Sequence, residues 1–256
     1  MLLVFLGTRG EIRLQSRRHG HHSALLVRHA GRTVMVDCGR DWGDRLARVR
    51  PDAVVITHAH SDHAGGLRDG TQVPVYAPAA VWPALARYPI IRRETLELLQ
   101  PRTVGPITLE PFPVDHSLRA PAVAYRITAG RTAVLYAPDV ARIPSPPDAM
   151  RDVEAYVGDG AAVTRGLIRR RDGIPIGHAS IREQLDWCAE HGVHRAIFTH
   201  CGSEITRDDP GARRRVAALG RERGIAATIA HDGLELTVRA RRRPARPAGR
   251  AGAPRS

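Results

Sequence analysis

At 256 residues, with 43% hydrophobic content, 24 glycines and 19 prolines, the chain is long enough to bury a substantial core and reads as a turn-rich α/β or α+β protein. No run approaches 18 apolar residues, three cysteines without a CxxC pair make neither a disulfide framework nor a thiolate zinc knuckle, and aromatics at 4% supply no evident stacking platform for bases. The formal charge of +13 is carried by arginine with no lysine, and seven arginines and no acid fall in residues 239–256, so the charge reads as compositional bias plus a basic tail rather than as selection for phosphate binding.

In chain order, residues 1–7 are too short and lack the charged lead for a signal peptide, and they read as the first strand of a cytoplasmic protein. A polar loop follows with the cluster His19, His21 and His22. That cluster is either a solvated loop, an extra metal site or a set of substrate contacts, and the solvated loop is the favoured reading. Two strands, 24–28 and 33–37, flank a tight Ala30-Gly31 turn. A short helix is expected over 42–49, then a buried strand of the Val54-Val55-Ile56 type. Beyond it the pattern predicts a strand over 72–77, helices over 79–87 and 92–99, and strands over 107–113, 123–128 and 132–136, the meanders of a second sheet. A strand over 155–160 precedes the basic segment 165–171, read as either a phosphate-facing lip or a solvated loop, which makes Arg169, Arg170 and Arg171 candidate substrate contacts. Ser180 with Glu183 forms a capping box for a helix bearing Ile181, Leu185 and Cys188 on one face, closed by Gly192. A strand over 196–199, a helix over 209–223 and strands over 225–230 and 234–238 complete a body spanning 1–238. Residues 239–256 cannot bury a core and read as a disordered Arg/Pro/Ala-rich tail, either a contact for polyanions or an aid to solubility.

The chemistry gathers where the fourth strand ends, in Thr57-His58-Ala59-His60-Ser61-Asp62-His63-Ala64-Gly65-Gly66. Three imidazoles and a carboxylate within six residues suit zinc in type and spacing, and a strand end opening into a loop is a usual place for chemistry on a rigid scaffold. A merely histidine-rich loop is the bland alternative, in a chain with 13 histidines. Further His and Asp residues recur past later strands: His116, Asp139, His178 and His200. Asp37, at the end of the third strand, is a candidate acceptor for the outer N–H of a ligand histidine.

This ordered set resembles the metallo-β-lactamase fold superfamily, whose HxHxDH signature stands here as His58-Ala59-His60-Ser61-Asp62-His63. The resemblance implies a four-layer αββα sandwich of two mixed β-sheets flanked by helices. It implies one zinc held by His58, His60 and His116, a second held by Asp62, His63 and His200, and Asp139 bridging the two. Mn²⁺ or Fe²⁺ would fit some geometries. Gly177-His178-Ala179-Ser180 before a helix, with Phe198-Thr199-His200 after it, is similar to the ribonuclease Z and cyclic-phosphodiesterase branch, as are Phe5-Leu6-Gly7-Thr8 and Ala230-His231-Asp232-Gly233. There the matching histidine assists the scissile phosphate and leaving oxygen, so the resemblance makes Asp62 and His178 the catalytic residues. A helix-preceding histidine that only meets solvent is the bland alternative for His178. Ribonuclease Z carries a long arm between the lone His and the bridging Asp. Here His116 and Asp139 lie 23 positions apart, which looks more like the phosphoribosyl cyclic phosphodiesterase of the carbon–phosphorus lyase pathway, though without that family's cysteine-rich zinc site.

The expected function is therefore a dinuclear zinc phosphodiesterase acting on a small or cyclic anionic phosphodiester through a metal-bridging hydroxide. The alternatives are a metallohydrolase of carbon esters, thioesters or lactams, and a nuclease or RNA-processing enzyme whose basic tail grips nucleic acid. No membrane partner is expected, and a homodimer is compatible with the resemblance.

Overall fold

The structure is a computed structural model that describes residues 1–240; the expected tail beyond Ala240 lies outside the described residues. In chain order the first sheet takes β1 (Leu2–Gly7), β2 (Ala24–His29), β3 (Arg32–Val36), β4 (Ala53–Val55), β5 (Val75–Pro78) and β6 (Arg93–Leu96). The second takes β7 (Arg102–Val104), β8 (Ile107–Val114), β9 (Ala122–Ala129), β10 (Thr132–Tyr136) and β11 (Ala155–Asp159). A separate hairpin follows, β12 (Leu167–Arg171) with β13 (Ile174–His178), before β14 (Arg195–Thr199) and β15 (Ala226–Ile229) rejoin the second sheet and β16 (Leu234–Thr237) returns to the first. The helices are α1 (Gly43–Val49), α2 (Ser61–Ala64), α3 (Pro146–Met150), α4 (Ile181–Glu190), α5 (Ser203–Arg207) and α6 (Asp209–Arg221).

Among the described residues the two sheets have seven strands each, in the orders β16-β1-β2-β3-β4-β5-β6 and β15-β14-β11-β10-β9-β8-β7. Both are mixed. Hairpins make the antiparallel parts, and the parallel runs β3-β4-β5-β6 and β10-β11-β14-β15 need crossovers.

The alternation of side chains along the strands builds the layers. Leu3, Phe5, Val34 and Val36 of the first sheet meet Ile127, Val134, Tyr136 and Ile197 of the second in one buried core. Their neighbours point outward: Val4, Met35 and Val54 pack on Trp42 and Leu46, while Leu135 and Phe198 pack on Leu185 and Val216. The result is the expected four-layer αββα sandwich. Among the described residues no helix is long and apolar enough to cross a membrane.

Several elements depart from the sequence expectation. Residues 92–99, expected as a helix, instead form β6, which pairs in parallel with β5 from Val75↔Arg93 to Pro78↔Leu96. The open edge of β5 outweighs the helix propensity of a Glu/Leu-rich segment, since sheet pairing satisfies the same backbone groups and buries Leu96. The expected helix over 79–87 is a run of 3₁₀ turns, Ala79–Leu85, with Pro83 inside it. The basic segment is a strand, β12, exposed at every residue. Strands β7 and β13 and helices α3 and α5 were not anticipated, because each is too short to show a period. The capping box of α4 forms: Glu183 N–H donates to Ser180 Oγ at 3.2 Å and Glu183 Oε2 accepts Ser180 N–H at 2.7 Å.

Candidate metal centre

His58, His116, Asp139 and His200 of the predicted constellation sit just past strand ends, Asp62 and His63 lie on α2, and His178 is the last residue of β13. β3 and β4 run parallel, so Asp37 and Thr57 emerge side by side. Thr57 donates to Asp37 through its N–H at 2.9 Å and through its hydroxyl at 2.9 and 3.0 Å. That hydroxyl hydrogen is thereby spent, so the neighbouring His58 Nδ1, 3.0 Å away, must be the donor to Thr57 Oγ1. His63 Nδ1 donates to Asp37 Oδ2 at 2.8 Å. The short helix α2 turns Asp62 and His63 inward, and it packs so tightly on the chain after β3 that a Cβ at Gly39 would lie 2.4 Å from Asp62 O. The second sheet docks on the motif through Tyr125 Oη, which donates to Ile56 O at 2.9 Å, and through Val123 N–H, which donates to Thr57 O at 3.1 Å.

The second sheet delivers the remaining residues. His116 follows β8 and exchanges two hydrogen bonds with one glycine: His116 Nδ1 donates to Gly177 O at 3.1 Å, and Gly177 N–H donates to His116 O at 2.8 Å. Asp139 follows β10, Asp159 ends β11 and His200 follows β14 with a positive φ of 52°. Asp37 also has a positive φ, 61°. Such conformations persist in non-glycine residues where the surrounding structure holds them.

With Nδ1 of His58, His63 and His116 committed outward, each Nε2 carries its lone pair inward. His60 Nδ1 lies 3.0 Å from His58 Nε2 and 3.3 Å from His116 Nε2. Tetrahedral zinc with bonds of about 2.0–2.1 Å spaces its nitrogen ligands by about 3.3 Å, so this triad fits one cation. Asp139 Oδ2 is shared: it stands 3.2 Å from His58 Nε2, 3.4 Å from His116 Nε2 and 3.2 Å from His63 Nε2. Asp62 Oδ2 lies 3.4 Å from His63 Nε2 and 3.1 Å from His200 Nε2. Ligand atoms thus fall into two groups that match the predicted sets and share Asp139, His58/His60/His116/Asp139 and Asp62/His63/Asp139/His200, and a third overlapping group, Asp139/Asp159/His178/His200, lies beside them. His63 Nε2, Asp139 Oδ1 and His200 Nδ1 are buried and converge on one another, with His200 Nδ1 2.8 Å from Asp139 Oδ1 and His63 Nε2 3.2 Å from Asp139 Oδ2, a crowding of buried polar ligand atoms that a cation between them would satisfy. The donor set therefore fits divalent metal ions.

Burial and charge polarise the set. Burial pushes the imidazoles of His58, His60 and His116 below the ordinary histidine value, keeping them neutral donors. Burial also opposes charge on His63 and His200, but Asp62 and Asp37 beside His63, and Asp139 beside both, raise them well above it. Against the same burial, the imidazoles hold the carboxyls of Asp62 and Asp139 far below the usual range.

A cavity of about 820 Å³ opens on the centre, lined by His60, Asp62, His116, Asp139, His178 and His200, while His58 and His63 lie beneath, fully buried. His178 Nδ1 donates to Asp159 Oδ2 at 2.8 Å and lies 3.6 Å from Asp139 Oδ1. Asp159 also accepts the N–H of Val140 at 3.0 Å and of Ala161 at 2.8 Å. Sequence reasoning missed Asp159. Its signal was the one that marked Asp139, an aspartate at the end of a largely apolar run. Burial resists the charge on His178, but Asp159 prevails and raises its affinity for a proton.

Other candidates lie apart. Arg169, Arg170 and Arg171 extend along the exposed hairpin and do not line the cavity; Arg165 and Leu167 do. His21 and His22 are also absent from its walls. His21 Nδ1 donates to Asp232 at 3.0 Å and its ring lies against Trp42, and His22 Nδ1 is 2.6 Å from Asp41. Their hydrogen bonds organise the 8–22 loop.

Comparison with known proteins agrees with the fold. The chain is 25% identical to a ribonuclease Z of Methanopyrus kandleri over 291 aligned positions, covering 93% of this chain and 98% of that protein. The metallo-β-lactamase fold protein YhfI of Bacillus subtilis superposes with a TM-score of 0.73 at 18% identity, over 92% of this chain and 98% of that one. A diphosphatase of the PhnP family superposes with a TM-score of 0.68 at 18% identity, over 92% and 96% of the two chains. The family described as "Beta-lactamase superfamily domain" matches residues 32–201; the chain belongs to that superfamily and is a hydrolase of the metallo-β-lactamase fold.

Proposed function

We propose that the chain is a dinuclear zinc phosphodiesterase acting on small or cyclic phosphodiesters, with residues 1–238 as the hydrolase domain. The observation that carries this reading is His178, backed by Asp159 and facing the same cavity as a carboxylate shared between two ligand sets. His58, His60 and His116 would hold one ion, and Asp62, His63 and His200 the other, with Asp139 common to both. When bound, such ions supply Lewis acidity and a water activated near neutral pH.

The chain's own residues supply the rest. Asp159 fixes the tautomer of His178 by accepting from Nδ1, which leaves Nε2 for the cavity and for the leaving oxygen of a phosphodiester. The proton that His178 holds more firmly than an ordinary histidine is the one a departing alkoxide needs. The deeply buried second rank, Asp37 and Thr57, keeps the ligand nitrogens aimed. A cavity of about 820 Å³ is the size of an ordinary small-molecule site.

Turnover of bis(p-nitrophenyl) phosphate by protein carrying two zinc ions per chain tests this reading. His60→Ala is expected to abolish turnover, and His178→Ala to lower kcat by roughly 10²–10⁴-fold toward a phosphodiester with an alkoxide leaving group, the usual worth of a positioned proton donor, and by less toward bis(p-nitrophenyl) phosphate, whose p-nitrophenolate leaves without a proton. No phosphodiester turnover at full zinc occupancy, or turnover of a thioester or chromogenic lactam in its place, would overturn it.

A further inference from the structure

Asp139 and His200 each turn a second atom away from the two ligand sets. Asp139 Oδ2 is the oxygen that His58, His63 and His116 surround, whereas Asp139 Oδ1 lies 3.6 Å from His178 Nδ1 and 2.8 Å from His200 Nδ1. His200 Nε2 faces Asp62, whereas its Nδ1 lies 3.6 Å from Asp159 Oδ1. Asp139, Asp159, His178 and His200 thereby bring four ligand atoms within 4.8 Å of one another. Asp139 Oδ1 is buried, and its neighbour His200 Nδ1 is close but not aligned for a hydrogen bond to it, so this oxygen keeps a lone pair aimed into the group.

The donors narrow to three. A neutral imidazole offers one lone pair, and His200 spends its own on the side of Asp62. Asp139 Oδ1, an Asp159 oxygen and His178 Nδ1 are left. Asp159 is fully buried and held still by the N–H groups of Val140, Ala161 and His178. His178 is partly exposed and lines the cavity beside Asp139, which gives an ion a path in. Three protein donors with water in the fourth place make a zinc site open to exchange, and repulsion from the ions that share Asp139 weakens it further.

We propose that Asp139 Oδ1, Asp159 and His178 Nδ1 form a third, weaker zinc site whose occupation switches the enzyme off. His178 Nδ1 donates to Asp159 at 2.8 Å; to bind an ion it must release that proton to solvent and offer its lone pair instead. The ring then keeps one proton, on Nε2, as a neutral imidazole, and lacks the extra proton that a departing alkoxide takes. The switch rests on the phosphodiesterase reading; the site does not.

The direct test adds zinc to protein already loaded with two zinc ions, followed by calorimetry and by metal analysis after equilibrium dialysis. Wild type is expected to take up one further ion, which desalting removes. His178→Ala should lose that ion, and Asp159→Asn should bind it at least about tenfold more weakly. Both variants should keep the first two ions through desalting. His194→Ala, at an exposed position outside the cavity, should bind the further ion as wild type does. No further ion in wild type, or an adventitious ion that persists in both variants, would overturn the site. Activity supplies the second arm. Excess zinc should lower wild-type kcat at least about tenfold toward a phosphodiester with an alkoxide leaving group, with the midpoint of the binding curve, and less than about twofold toward bis(p-nitrophenyl) phosphate, whose leaving group needs no proton. A further ion that binds as expected but leaves alkoxide turnover unchanged overturns the switch. If no phosphodiester is cleaved at any zinc concentration while the binding pattern holds, the reaction class and its switch fail and the site stands.

Discussion

His178 is oriented by Asp159, a buried aspartate whose carboxylate also accepts from the backbone N–H of Val140 and Ala161 and lies 3.6 Å from His200 Nδ1. Those backbone bonds tie the acceptor to the loop that carries Asp139. Replacing Asp159 by Asn keeps the shape but replaces a charged acceptor with an amide, which costs the tautomer control on His178. Asp159→Asn is expected to lower kcat toward a phosphodiester with an alkoxide leaving group by roughly 10–100-fold, the range for groups that orient functional histidines. Zinc content and KM should move little, a split that distinguishes positioning of His178 from loss of the metal set. A variant with normal kcat, or one that loses zinc, would show that Asp159 does not act through His178.

At the scale of elements, the hairpin β12–β13 does more than present arginines. Its last turn before α4 holds His116 through both backbone groups of Gly177, and the next residue is His178. Gly177 has φ 107°, and a Cβ there would lie 2.0 Å from Leu167 O, so only glycine lets the two strands close at this point. Gly177→Ala is expected to destabilise the protein by about 1–3 kcal/mol from backbone strain, read by urea unfolding. It should also lower kcat/KM at least tenfold, because the displaced strand moves His116 and His178 together. Wild-type unfolding and activity would show that the hairpin does not set the site. β6 teaches the complementary lesson: its local sequence favours helix, yet pairing with β5 decides its state.

For the whole molecule, the ligand sets make stability depend on pH in opposite senses with and without metal. In the metal-free protein, His63 and His200 are raised well above the ordinary value of about 6.5. Above that value the folded state holds protons that the unfolded state has released, so their contribution is full below it and is lost as pH rises through their folded values. His58, His60 and His116 are lowered by burial, so their contribution is present above about 6.5 and is lost as pH falls through their folded values. Chelated protein should therefore be most stable near pH 6.5 and weaken on either side. Metal binding needs the same imidazoles deprotonated, so zinc affinity, and with it the stability of the loaded protein, should rise across pH 6.5–8. Urea midpoints with and without chelator should diverge over that interval. Parallel curves would mean that these residues do not titrate against a bound ion.

The sequence by itself determined the strands of both sheets, β6 and β7 excepted, from their apolar patterning, and the ordered His and Asp residues from their place after apolar runs. These are local signals, since the period of a strand and the residue following it are written in consecutive positions. Only the tertiary structure decided that Asp37 reaches His63, that Asp139 Oδ2 faces both ligand groups, and that Asp159 belongs with His178. Those pairings arise where parallel strands far apart in sequence bring their ends level, and distance along the chain does not encode that register. The tertiary structure also separated Arg165, on the cavity wall, from Arg169, Arg170 and Arg171 on the exposed strand beyond it. In the sequence the four are one basic run, because charge is a local property while access to a cavity is a property of the packed whole.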